Sequence, residues 1–202
     1  MALPAENLAE IYKIPRADAD AFALRSQQRY AAAQKKGYFS EEITPFVIKD
    51  RKGNEVTLAH DEHPKPETTM AILGQLKTVF KKDGVVTAGN ASGIVDGAAA
   101  LVVATEAEAK KRGKKPLARL IAYGVKGCDP KIMGIGPVPA AREALARASL
   151  KMSEMDVVEV NEAFAPQALS VMKELGIRDE VFNVNGGAIA VGHPLAATGA
   201  RI

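Results

Sequence analysis

From Thr87 to Ile202, apolar segments alternate with segments rich in helix-forming residues, and this alternation limits the possible folds more than any other feature of the chain. The run Ala98–Thr105 is continuously apolar, which is typical of a strand buried on both faces of a sheet. Further strands are predicted at 117–125, 157–160 and 182–190, with helices at 106–112, 138–148, 163–175 and from Pro194 onward. Strand–helix alternation of this kind predicts an α/β domain with a mostly parallel sheet.

The part of the chain before Thr87 has a different, largely helical pattern, because good helix formers such as Ala, Gln and Arg dominate its first 36 residues. The predicted elements are a helix over 4–36 that ends at Gly37, strands at 43–48 and 55–58 around a turn at Lys52–Asn54, a polar loop over 60–68 and a short helix over 70–80.

Composition excludes several classes of protein. The 202 residues are 47% hydrophobic and carry a net charge of 27 − 24 = +3, which excludes a disordered chain and allows a core for one or two domains. The longest apolar runs, such as Gly97–Ala104, fall well short of the ~20 residues of a transmembrane helix. The single Cys128 excludes an internal disulfide framework and a Cys-based zinc site. The charge is too small and too scattered to indicate a nucleic acid as partner, and no membrane partner is expected either.

The segment Asn183–Pro194 (NVNGGAIAVGHP) is the most informative candidate site. Its glycines permit close approach of the backbone, and Pro194 suits the first position of a helix. His193 would then be the N-cap residue, where the helix dipole disfavours the imidazolium form and leaves a neutral general base. The alternative is a histidine that only begins a helix.

Two more segments follow predicted strands, where sites of α/β folds lie. In Val157–Phe164 (VVEVNEAF), Asn161 could orient a water or donate to an oxyanion, or it could form an Asx turn or a cap. In Thr87–Gly93 (TAGNASG), small residues permit approach to a ligand and Ser92 offers a hydroxyl, although tight packing would also require small residues.

Two other sets of residues could form a site, but the sequence supports them less strongly. His60 and His63 flank two acidic residues, which makes a metal site conceivable, but a solvated polar loop explains the same residues more simply. Cys128 could pair with His193 as a cysteine nucleophile, or it could be a small buried hydrophobic residue.

Taken together, these segments resemble the thiolases, the acyl-CoA C-acyltransferases. Residues 183–202 (NVNGGAIAVGHPLAATGARI) are similar to the second signature of that family, and 158–164 (VEVNEAF) to its NEAF motif. Residues 86–93 and 129–137 also match in order and spacing, so the resemblance covers essentially the whole chain. The sequence of residues 127–140 is similar to that of degradative 3-ketoacyl-CoA thiolases and to that of acetoacetyl-CoA thiolases. Both subfamilies remain open.

The resemblance implies a thiolase-like α/β fold, a layered α-β-α-β-α architecture that is incomplete in this chain. Residues 1–86 would form a mostly helical loop domain that covers coenzyme A (CoA). Residues 87–115 would form the last strand and helix of the N-terminal half, and 116–202 a truncated C-terminal half.

The resemblance also implies roles for individual residues. His193 would activate a nucleophilic cysteine, and Asn161 would hold a water that stabilises the thioester oxyanion together with His193. The expected substrate is acyl-CoA, with no metal and no covalently bound cofactor. The residues expected to bind it are Ser92 at the pantetheine arm, Ala88, Ala163, Phe164 and Met133 along the acyl and pantetheine channel, and Lys65 near the nucleotide phosphates.

Departures from the family pattern lower the activity expected of this chain. The two cysteines that the family uses have no counterpart here, and Cys128 matches neither position. Ala196 and Thr198 replace the glycine and serine usual after the GHP motif. The resemblance therefore predicts a thiolase piece truncated at both ends, with negligible activity alone.

The remaining expectations concern assembly, location and rival functions. Full-length family members form dimers or tetramers, and a bacterial cytoplasmic location is predicted, although a targeting signal in a missing N-terminus would not be visible. The rival functions are a non-catalytic CoA-binding module and a cysteine hydrolase.

Overall fold

The computed structural model describes all 202 residues. No helix is both long enough and apolar enough to cross a membrane. Short 3₁₀ helices lie at Pro130–Ile135, Met152–Glu154 and Asp179–Val181. The regular elements are α1 (Ala2–Tyr12), α2 (Arg16–Lys35), β1 (Phe46–Lys49), β2 (Glu55–Leu58), α3 (Met70–Gln75), α4 (Glu106–Lys111), α5 (Pro137–Ala148), α6 (Ala165–Leu175), α7 (Ala188–Val191) and α8 (Thr198–Arg201).

The predicted helix over 4–36 is two helices, because Lys13 adopts a left-handed φ of 52° and Pro15 begins a new helix as the N-cap of α2. The predicted helix over 70–80 ends at Gln75. Arg16 donates hydrogen bonds to the carbonyl oxygens of Leu73 and Leu76 at 2.6 and 2.9 Å, and these two bonds attach the end of α3 to α2.

The two strands predicted before Thr87 form the only regular sheet, an antiparallel pair. Phe46 pairs with Leu58 and Ile48 with Val56, so one face of this hairpin is apolar. Asp50 closes the turn by accepting hydrogen bonds from the backbone N–H groups of Lys52 and Asn54.

The predicted parallel sheet is not formed, and this prediction was wrong in its details. Residues 98–105 and 117–125 are irregular and exposed, and Val102 is 100% accessible. A strand requires a neighbouring strand that supplies backbone hydrogen bonds, and neither segment forms such bonds with another segment of this chain. Parallel pairing remains only as single bridges between Ile94 and His193 and between Val158 and Phe182.

The predicted strand over 182–190 is not formed either, and only Phe182 makes a single bridge, to Val158. Asn183 and Gly186 have positive φ angles of 46° and 79°, which turn the chain away from an extended path. Residues 188–191 then form α7.

The main core lies between α2, α6 and the segment that follows α6. Phe22 of α2 and Phe182 meet at its centre with ring centroids 6.0 Å apart. The buried members are Ala19, Phe22, Ala23, Leu73, Val138, Ala165, Ala168, Val171, Ile177, Val181, Phe182 and Ile189.

Because Phe182 is fully buried, Phe182→Ala should lower the free energy of unfolding by about 3–5 kcal/mol. Phe46 is 67% exposed on the hairpin, so Phe46→Ala should change it by less than about 0.5 kcal/mol. Urea unfolding of both variants measures the difference, and equal effects would contradict this account of the core.

Candidate functional site

Residues 91–94 lie between the two motif loops and connect them. On one side, Ala91 forms an antiparallel bridge with Phe164, and the backbone N–H of Ser92 donates to the carbonyl oxygen of Ala163 at 3.1 Å. On the other side, the backbone N–H of His193 donates to the carbonyl oxygen of Gly93 at 2.8 Å. The three segments that the sequence singles out therefore meet at one place.

Asn90, which is completely buried, holds this connection in place. Its side-chain oxygen accepts from the N–H of Thr87 at 2.8 Å, and its amide donates to Asp20 of α2 at 2.8 Å. Its backbone carbonyl accepts from the N–H of Ala165 at 2.9 Å. The 87–93 loop is thus anchored both to α2 and to the first turn of α6.

The hydrogen bonds around His193 allow its tautomer to be assigned. The Thr198 hydroxyl donates to the carbonyl oxygen of Pro194 at 3.1 Å, so its oxygen acts as acceptor toward His193 Nδ1, which lies 2.6 Å away. We therefore assign the proton of neutral His193 to Nδ1. Its Nε2 keeps a free lone pair, as a general base requires.

The structure corrects the expected reason for a neutral His193. The N-cap of α8 is Ala197, not His193, and this helix has only four residues. Residues 194–198 form a turn in which the N–H of Thr198 donates to the carbonyl oxygen of Pro194 at 2.9 Å. The pKa of His193 is lowered from 6.5 by burial rather than by a helix dipole.

Asn161 is half-buried beside a cavity of about 150 Å³ that Gly186, Pro194 and Thr198 also line. Its side-chain oxygen is buried and has no hydrogen-bond partner. The cap of α6 is Phe164, so Asn161 does not cap that helix. A larger recess of about 500 Å³ lies between the α1–α2 turn and the end of α6, and contains none of the motif residues.

The predicted CoA-binding residues divide into two groups. Ser92, Ala163 and Phe164 lie together, and the Phe164 ring packs edge-on against Phe80 with centroids 6.5 Å apart. Ala88 is exposed in the same loop as Ser92.

Met133 and Lys65 lie on other elements of the chain. Met133 lies on the 3₁₀ helix Pro130–Ile135, which packs against α1 and α6. The backbone N–H of Lys65 donates to Gln27 of α2 at 2.9 Å, and its side chain is exposed.

The structure gives little support to the rival sites. His63 is half-buried, its Nδ1 is 2.8 Å from the carbonyl oxygen of Ala190, and its ring lies against Gly93. No group of three or more His, Cys, Asp or Glu side chains is placed to hold a metal ion. Cys128 is exposed, contrary to the buried alternative, and its thiol contacts the carbonyl oxygen of Met133 at 3.7 Å. No hydrogen bond joins Cys128 to His193.

The sequence motifs did not predict the buried residues that hold the site loops against α2. Glu162 is completely buried and accepts a hydrogen bond from Ser26 of α2 at 2.6 Å. The sequence does contain an indication of these residues. Ser26 and Gln27 are polar residues on the helix face that also carries Phe22 and Tyr30, and polar residues on a buried face need hydrogen-bond partners.

Comparison with known proteins places the chain in a family. The family model described as Thiolase, N-terminal domain matches residues 1–107, and the model described as Thiolase, C-terminal domain matches residues 114–202. The chain therefore belongs to the thiolase family, whose homologues are acyltransferases. This confirms the resemblance seen in its motifs.

Similar proteins include the 3-ketoacyl-CoA thiolase of mitochondria from Bos taurus, 56% identical over all 202 residues and 51% of that protein. The 3-oxoadipyl-CoA/3-oxo-5,6-dehydrosuberyl-CoA thiolase of Escherichia coli is 55% identical over 98% of this chain and 50% of its own. The chain thus spans about half the length of the curated relatives it matches.

Solved structures confirm the fold class. Human mitochondrial 3-ketoacyl-CoA thiolase superposes with a TM-score of 0.91 at 50% identity, covering 100% of this chain and 50% of its own. Bacillus anthracis acetyl-CoA acetyltransferase superposes with a TM-score of 0.94 at 49% identity, covering 98% of this chain and 50% of its own. The chain therefore has a thiolase-like α/β fold.

Burial should give His193 an NMR titration midpoint below 6.5. The folded state then binds fewer protons than the unfolded state near this pH, so stability should rise with pH through the range and fall as pH is lowered. A ¹H–¹³C titration of the imidazole measures the midpoint, and His193→Asn assigns the signal. A midpoint at or above 6.5 would contradict the burial argument.

Removing the Thr198 hydroxyl should change the tautomer of His193. Thr198→Val keeps the side-chain shape but loses the acceptor for Nδ1–H, so the proton should shift toward Nε2. Thr198→Ser keeps the hydroxyl and is the matched control. Long-range ¹H–¹⁵N spectra at pH 8 report both nitrogens, and identical shifts in Thr198→Val and the unsubstituted protein would refute the assignment.

Proposed function

We propose that this chain provides the His193–Asn161 part of a thiolase site, at which acyl groups are transferred to and from CoA. The observation that carries the proposal is the His193 ring itself. Its Nδ1–H is held by Thr198, its Nε2 is free, and its backbone is joined to Gly93 next to Ser92. A fixed neutral imidazole at a junction of three loops is suited to proton transfer during acyl transfer.

The proposed roles follow from the geometry of each group. His193 Nε2 takes the proton of a thiol from outside this chain while the sulfur bonds to the acyl carbon. In a thioester the C–S bond then breaks and the CoA thiolate leaves; in a 3-ketoacyl-CoA the C2–C3 bond breaks and the enolate of acetyl-CoA leaves, and the leaving group takes up a proton. The polar group of Asn161 at the neighbouring cavity holds a water, which with His193 stabilises the oxyanion that forms. The reaction would be thiolytic cleavage of 3-ketoacyl-CoA or, in reverse, Claisen condensation of acetyl-CoA.

The proposed CoA surface follows the same loops and adds Met133 and Lys65, which lie on other elements. Ser92 would contact the pantetheine arm, and Ala88, Ala163, Phe164 and Met133 would line its channel. Lys65 has an exposed side chain on the 60–68 loop, which suits a phosphate group. A solved human mitochondrial 3-ketoacyl-CoA thiolase in complex with CoA superposes with a TM-score of 0.89, and supports CoA as the ligand class.

The domain division at residues 86 and 115, assembly into dimers or tetramers, and a bacterial cytoplasmic location are part of the same proposal. The relatives of this chain include both mitochondrial and Escherichia coli thiolases.

One observation favours the second function, a non-catalytic CoA-binding module. The only cysteine of the chain, Cys128, is exposed and contacts the loop around Met133 and Gly136 rather than His193. A module of this kind would bind CoA through the Ser92 and Phe164 surface without turnover.

CoA binding tests the surface that both functions share. Isothermal titration should show saturable binding of CoA, and Phe164→Ala should weaken it about tenfold, or ~1.4 kcal/mol, because the ring is part of the channel. Tyr123→Ala removes an exposed aromatic ring that packs on Arg147 of α5, outside residues 1–86 and the motif loops, and should leave Kd unchanged. Absence of saturation, or equal effects of the two substitutions, would overturn the proposed CoA surface.

Turnover separates the two functions. With acetoacetyl-CoA and CoA as substrates, the isolated chain should show no acetyl-CoA formation, because no thiol lies at His193. Turnover that disappears in His193→Asn would contradict this expectation and reject the binding-module function.

A further inference from the structure

Glu162 is a buried carboxylate to which the proposed mechanism assigns no role. It follows Asn161 directly and is completely buried. Burial raises its pKa, while hydrogen bonds from Asn183, Ser26 and the N–H of Ile189, together with the charge of Arg25, act in the opposite direction. Removing this carboxylate alone should lower the stability of the fold, because the groups that donate to it would be left without an acceptor.

Its two oxygens join three separate parts of the chain. Oε2 accepts from the hydroxyl of Ser26 at 2.6 Å and from the N–H of Ile189 at 3.2 Å, and Oε1 accepts from the amide of Asn183 at 2.9 Å. The Ser26 oxygen in turn accepts from the N–H of Gly187 at 3.0 Å. The backbone before His193 is thereby tied to α2 through Glu162.

The double glycine of the motif is explained by the same contact. A methyl group at Gly187 would lie within 2.6 Å of both carboxylate oxygens of Glu162. A methyl group at Gly186, which also has a φ of 79°, would lie 2.5 Å from the carbonyl oxygen of Ser26. The loop can therefore approach α2 closely enough for the carboxylate to bond with it only if both positions are glycine.

Asn183 extends the network toward the other motif. Its side chain accepts from the N–H of Val160 at 2.8 Å and donates to the carbonyl oxygen of Val160 at 2.9 Å. Asn161 is the next residue, so the same side chains fix the backbone on which Asn161 lies and the loop that leads to His193.

We propose that Glu162 is a positioning residue that holds the Asn161 loop and the His193 loop in a fixed relation by bonding both to α2. The inference rests on the proposed role of His193 as a base. Glu162 does not touch the reacting atoms; it acts through Gly187 and Ile189, which precede His193, and through Asn183, which holds Val160.

Two substitutions break the network at different points. Glu162→Gln keeps the shape of the side chain but places an NH₂ group against one of three donors. Ser26→Ala removes the hydroxyl that links Gly187 to the carboxylate. Ser170→Ala is the matched control, because Ser170 is fully buried and donates to the carbonyl oxygen of Pro166 at 2.8 Å, outside the network.

The readout is the NMR titration midpoint and the ¹⁵N shifts of His193, with Tm measured in parallel. Glu162→Gln and Ser26→Ala should raise the midpoint toward 6.5, because a loosened loop exposes the ring to water. The double variant should shift it no further than Glu162→Gln alone. Ser170→Ala should lower Tm and leave the midpoint unchanged.

A His193 midpoint and ¹⁵N shifts that stay at their original values in folded Ser26→Ala would overturn the proposal, as would an equal shift in Ser170→Ala. If Glu162→Gln does not fold, Ser26→Ala decides, since it retains the carboxylate and its bonds to Asn183 and Ile189. The NMR readout needs no CoA. Failure of CoA binding would therefore reject the proposed function without affecting this measurement.

Discussion

The site depends on one short piece of backbone, residues 91–94, which pairs with Phe164 on one side and His193 on the other. Each pairing is a single bridge, which is weak by itself. It persists because the flanking residues are anchored by buried side chains, notably Asn90 bonded to Asp20 of α2. The functional loops are thus held by polar contacts to a helix rather than by a continuous sheet.

Buried polar groups are costly unless they are paired, and several of those in this chain are paired at α2. Asp20, Ser26 and Gln27 are buried on the same helix and each bonds to a loop of the site. The apolar residues Phe22 and Tyr30 occupy the same face and pack into the core clusters. One helix therefore supplies both the apolar contacts that stabilise the fold and the hydrogen bonds that orient the site.

Sequence patterns predicted the helices of this chain more accurately than its strands. The predicted helices over 106–112, 138–148 and 163–175 are present almost to the residue, because helical hydrogen bonds lie within a segment. The apolar runs at 98–105 and 117–125 do not form strands, although their composition favours strands, because the bonds of a strand come from another segment. The composition of a segment does not determine whether a second strand lies beside it to form those bonds.

The sequence alone determined the thiolase resemblance, the helices over 106–112, 138–148 and 163–175, and the three loops of the site, because motifs and helical patterns are local. Only the tertiary structure decided that Thr198 sets the tautomer of His193 and that burial, not a helix dipole, lowers its pKa. Only it joined Glu162 to Ser26 across 136 residues of sequence. Contacts between residues that far apart depend on how the chain packs, which no local pattern encodes.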